Sequence, residues 1–176
     1  MSLHGDGGCV VGMPVRGPDY PSLLPLGWHP MTLSGLRRLC VDPFSLSATR
    51  PMLMAGLETI VDRLVTASIV GNLWVNGSFL TEKINPVDTD IVLEVDSSSM
   101  YDNGSREQKD AIDSIVGNLK NTPLKCDCYP LFTYPIPHLL FQEGEWWRAY
   151  WIRQFGFSRE VDPKGIVIIS IPDGAS

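Results

Sequence analysis

Trp74–Leu93 reads WVNGSFLTEKINPVDTDIVL. An apolar run stops at Asn76-Gly77-Ser78, and ten residues after the serine Asp88-Thr-Asp90 heads a second apolar run, Ile91–Leu93. The pattern predicts strands over 72–75 and about 89–95, joined by the loop FLTEKINPVD. Side chains alternate along a strand, so Asp88 and Asp90 fall on one face, close together. Carboxylates this close repel unless a cation lies between them, and paired hard oxygens suit Mg²⁺ or Mn²⁺. Upstream, Gly77 lets a phosphate approach the backbone closely, and Ser78 offers a hydroxyl and an N–H.

Outward from this stretch the chain alternates helices and strands. Leu53, Leu57, Ile60, Val61, Leu64 and Val65 form a helical stripe within 47–67, with Pro51 in the first turn. Ser105 and Gln108 are spaced as a capping box opening a helix whose buried face is Ile112, Ile115, Val116 and Leu119. A third strand is predicted over Lys125–Tyr129, ended by Pro130. An aromatic helix follows over Glu143–Phe155, spaced as a helix that buries its tryptophans, and a β-prone run closes the order at Gly165–Ile171. A shorter helix is expected over Thr32–Cys40. This order predicts an α/β (α+β) fold: a small mixed sheet flanked by helices. Glycine and proline crowd the first residues, so 1–25 reads as an irregular arm and 26–176 as a single domain.

Composition bounds the rest. The chain has 176 residues and is 44% hydrophobic, enough for a packed core and incompatible with disorder throughout. Its 20 acidic and 14 basic side chains give a net charge of −6, which opposes a broad grip on nucleic acid. No run of about 18 apolar residues predicts a membrane span, and the opening residues do not read as a signal peptide, so a cytoplasmic location is expected. Cys9, Cys40, Cys126 and Cys128 lack the companions of a zinc site and read as reduced thiols, with Cys126 and Cys128 buried. Between the last two, Asp127 faces the other way. If its strand lies beside that of Asp88 and Asp90, three carboxylates converge, the arrangement that binds metal ions for in-line phosphoryl displacement.

Gly-Ser, a loop, Asp-x-Asp heading a strand and a later strand aspartate resemble the DNA polymerase β-type nucleotidyltransferase superfamily. Within it, VNGSFLTEK, NPVDTDIVL and the distal FGFSREVDPKGIV are similar to an uncharacterised bacterial and phage group of minimal nucleotidyltransferase-like proteins, over roughly residues 25–171. The resemblance implies a nucleotidyltransferase-like fold. It also implies transfer of a nucleoside monophosphate, AMP from ATP foremost, onto a hydroxyl of a protein or RNA acceptor, with pyrophosphate released. By the same analogy the role is antitoxin-type or defence-related. Carried onto this chain, Asp88, Asp90 and Asp127 are the catalytic and metal-binding residues, with Mg²⁺ or Mn²⁺ as cofactor. Gly77 and Ser78 hold the nucleotide. Lys83, Arg159 and Lys164 are further phosphate contacts, set against the reading of solvated loop residues. Two positions depart from the pattern: Phe79–Lys83 lacks the second glycine, and Val87 stands where serine usually precedes the first aspartate. These departures keep an alternative open, a catalytically inactive protein of the same fold that acts by binding a protein partner. A weaker alternative is a nucleic-acid-binding module using the aromatic helix with Arg148, Arg153 and Arg159.

Overall fold

The computed structural model describes residues 20–175. The expected sheet is present and larger than anticipated: six mixed strands in the order β1-β6-β2-β3-β5-β4. The strands are β1 (Gly27–Pro30), β2 (Gly71–Asn76), β3 (Thr89–Asp96), β4 (Gly117–Asn118), β5 (Cys126–Thr133) and β6 (Gly165–Ile171). The helices are α1 (Leu33–Cys40), α2 (Arg50–Thr66), α3 (Arg106–Ile115) and α4 (Phe141–Phe155). β2 runs antiparallel to both β3 and β6, while β3 with β5 and β1 with β6 are parallel pairs.

Local chemistry accounts for several boundaries. Thr32 caps α1 by accepting from the Gly35 N–H, and Ser105 with Gln108 forms the reciprocal box that starts α3. α2 begins at Arg50 rather than at the expected Ser47, because the Ser47 hydroxyl accepts from the Arg50 N–H and holds the intervening residues in a turn. β5 does not stop at Pro130 but runs on to Thr133. The Cys126 carbonyl accepts from Leu119 N–H on the outer side, so by alternation Pro130 also points its nitrogen outward. β4 reaches only Asp127 and Cys128, so a missing donor at 130 breaks no ladder bond.

The two faces of the sheet are unequal. Leu73, Val75, Ile91, Leu93, Val167 and Ile169 pack with Leu36, Leu53, Leu57, Ile60 and Leu64 of α1 and α2 into the main core, joined by Cys126 and Cys128. The opposite face carries a smaller cluster of Trp74, Val92, Leu131, Phe155 and Ile166 under α4. Asn76, Asp90 and Asp127 share the parity of that second face, so the sheet extends its polar residues toward the C-terminal end of α4. Cys40, Cys126 and Cys128 are free and buried; Cys9 lies outside the described residues. Burial pushes the thiols of Cys40 and Cys126 up to about 12, which keeps them protonated and unreactive.

The N-terminal arm lies outside the described residues up to residue 19. From Tyr20 the chain is laid along the loop after β2: Leu23 N–H donates to the Leu80 carbonyl, and Glu82 N–H to that of Pro21. The aromatic helix is not buried as its spacing suggests. Trp146, Trp147 and Tyr150 are exposed at 60%, 41% and 38%, and only Trp151 and Phe155 turn inward.

Candidate active site

The site forms where β2 ends and β3 begins. Asn76, the last residue of β2, is buried and spends its side chain on three neighbours. Its Oδ1 accepts from the Gly77 N–H at 2.6 Å, while Nδ2 donates to the carbonyls of Phe155 (2.6 Å) and Gly165 (3.1 Å). One amide thus joins the turn, the end of α4 and the start of β6. Gly77 has φ +80°, and a Cβ there would lie 2.1 Å from Asp90 Oδ2. Only glycine lets the turn pass so close to that carboxylate.

Asp90 pairs in register with Asn76 on one side and Asp127 on the other. Asp88, just ahead of β3, has the same parity. The three carboxylates therefore share one face of the sheet, as the spacing requires. Burial first, then the charges of Asp88 and Asp127, push the Asp90 carboxyl above its ordinary range. Lys120, in the turn after β4, answers that charge. Its ammonium lies 2.7 Å from Asp88 Oδ2 and 2.8 Å from Asp127 Oδ2. Both hydrogen-bonded carboxylates stabilise the ammonium, so the Lys120 pKa is raised. The Tyr129 hydroxyl donates to Asp127 Oδ2 at 3.3 Å, and burial pushes that phenol up to about 12. Among the described residues no three or more His, Cys, Asp or Glu side chains stand as a ready metal cage; Lys120 lies between two of the three carboxylates instead.

A cleft of about 880 Å³ opens over this floor, a size that suits a small-molecule ligand. Gly77, Ser78, Lys83, Asp88, Asp90, Arg159 and Lys164 all line it. Asp127 does not, lying beneath Lys120 and Tyr129, which do. Lys164 is near enough to Asp90 to lower its proton affinity. Arg159 sits on a loop closed by the Ser158 hydroxyl, which accepts from the N–H groups of Glu160 and Asp162. The loop bearing Lys83 is held from inside by Arg50. This guanidinium is fully buried and donates to the carbonyls of Cys40, Phe79, Thr81 and Lys83, while lying 3.6 Å from the centroid of the Phe44 ring. Neither Lys120 nor Arg50 carries a signal in the sequence: Lys120 follows a two-residue strand, and Arg50 sits at a helix start just before Pro51.

A family model described as a family of unknown function, DUF6932, matches residues 18–170. The chain belongs to this family. Its match spans β1 through most of β6, so every site residue named above lies in the family's shared region. No curated protein and no solved structure matches this DUF6932 chain.

Proposed function

We propose that the protein is a metal-dependent nucleotidyltransferase with a nucleotidyltransferase-like fold, working in the cytoplasm and using ATP as nucleotide donor. The observation that carries this reading is the pairing of Asp88 and Asp90 beside the Gly77-Ser78 turn, in a cleft that also holds Lys83, Arg159 and Lys164, with Asp127 beneath it joined to Asp88 through Lys120. The donor set suits a hard divalent cation: the carboxylates of Asp88 and Asp90 face the cleft, and a lysine ammonium already spans Asp88 and Asp127. Asp88 and Asp90 are the residues to hold it, with Asp127 as the third donor. Mg²⁺ or Mn²⁺, when bound, neutralises phosphate charge and polarises the α-phosphoryl group.

The chain's own residues do the remainder. Gly77, whose N–H is engaged by Asn76, contributes closeness of approach, and Ser78 contributes the donors. Lys83, Arg159 and Lys164 hold the triphosphate. Asp127, once Lys120 swings away, takes the proton from an acceptor hydroxyl. The hydroxyl oxygen bonds to the α-phosphorus, the α–β anhydride bond breaks, and pyrophosphate leaves. Positioning and charge stabilisation do most of the work in such a transfer. The acceptor is a protein or RNA hydroxyl, the protein favoured by the net charge of −6, and an antitoxin-type or defence-related role fits such a modification.

The test is incubation with each α-labelled NTP, Mg²⁺ or Mn²⁺ and host-cell lysate. The expected result is a labelled macromolecule that disappears with Asp88→Asn or Asp90→Asn. Absence of label with every nucleotide and both metals overturns the reading. One observation favours the rival, an inactive binding protein of the same fold: the Lys120 ammonium already bridges Asp88 and Asp127. In that case neither Mg²⁺ nor ATP raises the melting temperature.

A further inference from the structure

The cleft has a second chemical character that phosphate binding does not use. Along its α4 side the lining consists of rings, Tyr150, Trp151 and Phe157, with the exposed amide of Gln154 among them. These rings continue to the carboxylates: Tyr150 meets Trp151 at 5.0 Å between centroids, Trp151 meets Tyr129 at 4.6 Å, and the Tyr129 hydroxyl reaches Asp127. The indole N–H of Trp151 is buried and has no hydrogen-bond partner, whereas that of Trp74 donates to Glu94 at 3.0 Å. A buried donor without an acceptor is rare and costly.

We infer that the α4 side of the cleft is the subsite for a nucleobase, its face stacked on Tyr150 and its edge toward Gln154 and the Trp151 ring, which stands at 77° to that of Tyr150. This rests on the nucleotidyltransferase reading and extends it: the substrate is chosen by its base as well as by its triphosphate. Rings supply the stacking, which tolerates any base, and a single amide with both donor and acceptor supplies the preference among bases. The aromatic wall stands beside the Gly77 turn because Asn76 ties that turn to the Phe155 carbonyl, so base and phosphate subsites are held in fixed relation.

Calorimetric titration of the full chain with ATP, adenosine and inorganic tripolyphosphate, each with Mg²⁺, tests it. ATP is expected to bind at least about tenfold more tightly than tripolyphosphate. Tyr150→Ala, at an exposed position, and Trp151→Ala should remove about tenfold of that advantage while leaving tripolyphosphate affinity unchanged. Gln154→Ala should narrow the spread among ATP, GTP, CTP and UTP. Should Trp151→Ala fail to fold, the two exposed variants decide the matter. Equal binding of ATP and tripolyphosphate, with no effect of the variants, overturns the base subsite and leaves the nucleotide reading standing. Adenosine binding that Tyr150→Ala abolishes, without any binding of tripolyphosphate, supports the ring subsite and overturns the phosphate chemistry. No binding of any probe overturns both.

Discussion

Arg50 and Lys120 both sit against the segment from Gly77 to Asp90, Arg50 under its loop and Lys120 beside its carboxylates, but their surroundings differ in kind. Arg50 is sealed from solvent and donates only to neutral carbonyls, so burial lowers its proton affinity and no carboxylate compensates. Lys120 keeps about a third of its side chain in solvent and spans two carboxylates. A guanidinium fanned across four carbonyls has no competitor for its place, since its acceptors are weak ligands and its shape is specific. An ammonium between two carboxylates is different: any cation with comparable charge can take its position. The first cation fixes the loop, and the second is a counter-ion that a substrate complex can displace.

That contrast can be broken by experiment, beginning with the largest expected effect. Arg50→Met strands four carbonyls, three of which, those of Cys40, Phe79 and Thr81, receive fully buried bonds, and should cost at least about 3 kcal/mol in urea unfolding. The loss should be the same at low and high salt and with or without Mg²⁺. A loss that salt or Mg²⁺ repairs contradicts the neutral clamp. Gly77→Ala comes next at about 2 kcal/mol, because φ +80° strains alanine and its Cβ collides with Asp90 Oδ2. Nucleotide transfer should vanish in the same variant.

Lys120→Met should cost about 1 kcal/mol near neutral pH, a value kept small by the partial exposure of the ion pair. Here Mg²⁺ should restore the melting temperature, the reverse of the Arg50 result. The Lys120 pKa is raised in the fold, so its stabilisation is complete below the ordinary lysine value of 10.5 and fades as pH climbs past it. Wild type and variant should therefore converge in strong alkali. Smallest is Asp90→Asn. A carboxyl with a raised folded-state pKa stabilises the fold while protonated and loses that advantage as pH rises from 3.8 through the raised value. The asparagine variant should match the wild type in acid, and be as stable or more stable at neutral pH without metal. A variant that melts lower at every pH shows that Asp90 merely shapes the turn.

Much of the frame was legible because local pattern and tertiary need agree. β2, β3, β6, α3 and its capping box follow directly from apolar spacing and turn chemistry, and the parity of Asp88, Asp90 and Asp127 was readable once their strands were assigned. What escaped depends on contacts distant in sequence. β1 is only Gly-Trp-His-Pro, and nothing local announces that it pairs with β6 across 138 residues, Gly27 with Gly165. Pro130 ends a strand by local rule, but the free outer side of β5 removes the reason. The exposed tryptophans of α4 follow helical spacing as a core helix does, and only the thin layer beneath leaves Trp146 and Trp147 outside. Lys120 and Arg50 carry no sequence signature because each is defined by the oxygens around it. In the site, the carboxylates, the glycine and the cleft cations Lys83, Arg159 and Lys164 were visible, and Lys120 and Arg50 were not.

A sheet of six strands offers two margins through which another molecule could lengthen it. Here one margin is β1, four residues ending in Pro30, and the other is β4, two residues, beyond which β5 presents an exposed Pro130 outward. Exposed strand edges are templates for intermolecular pairing, and short, proline-marked ones are poor templates. The shape that gives Lys120 its short perch after β4 thus also makes both edges of the described sheet poor templates for pairing.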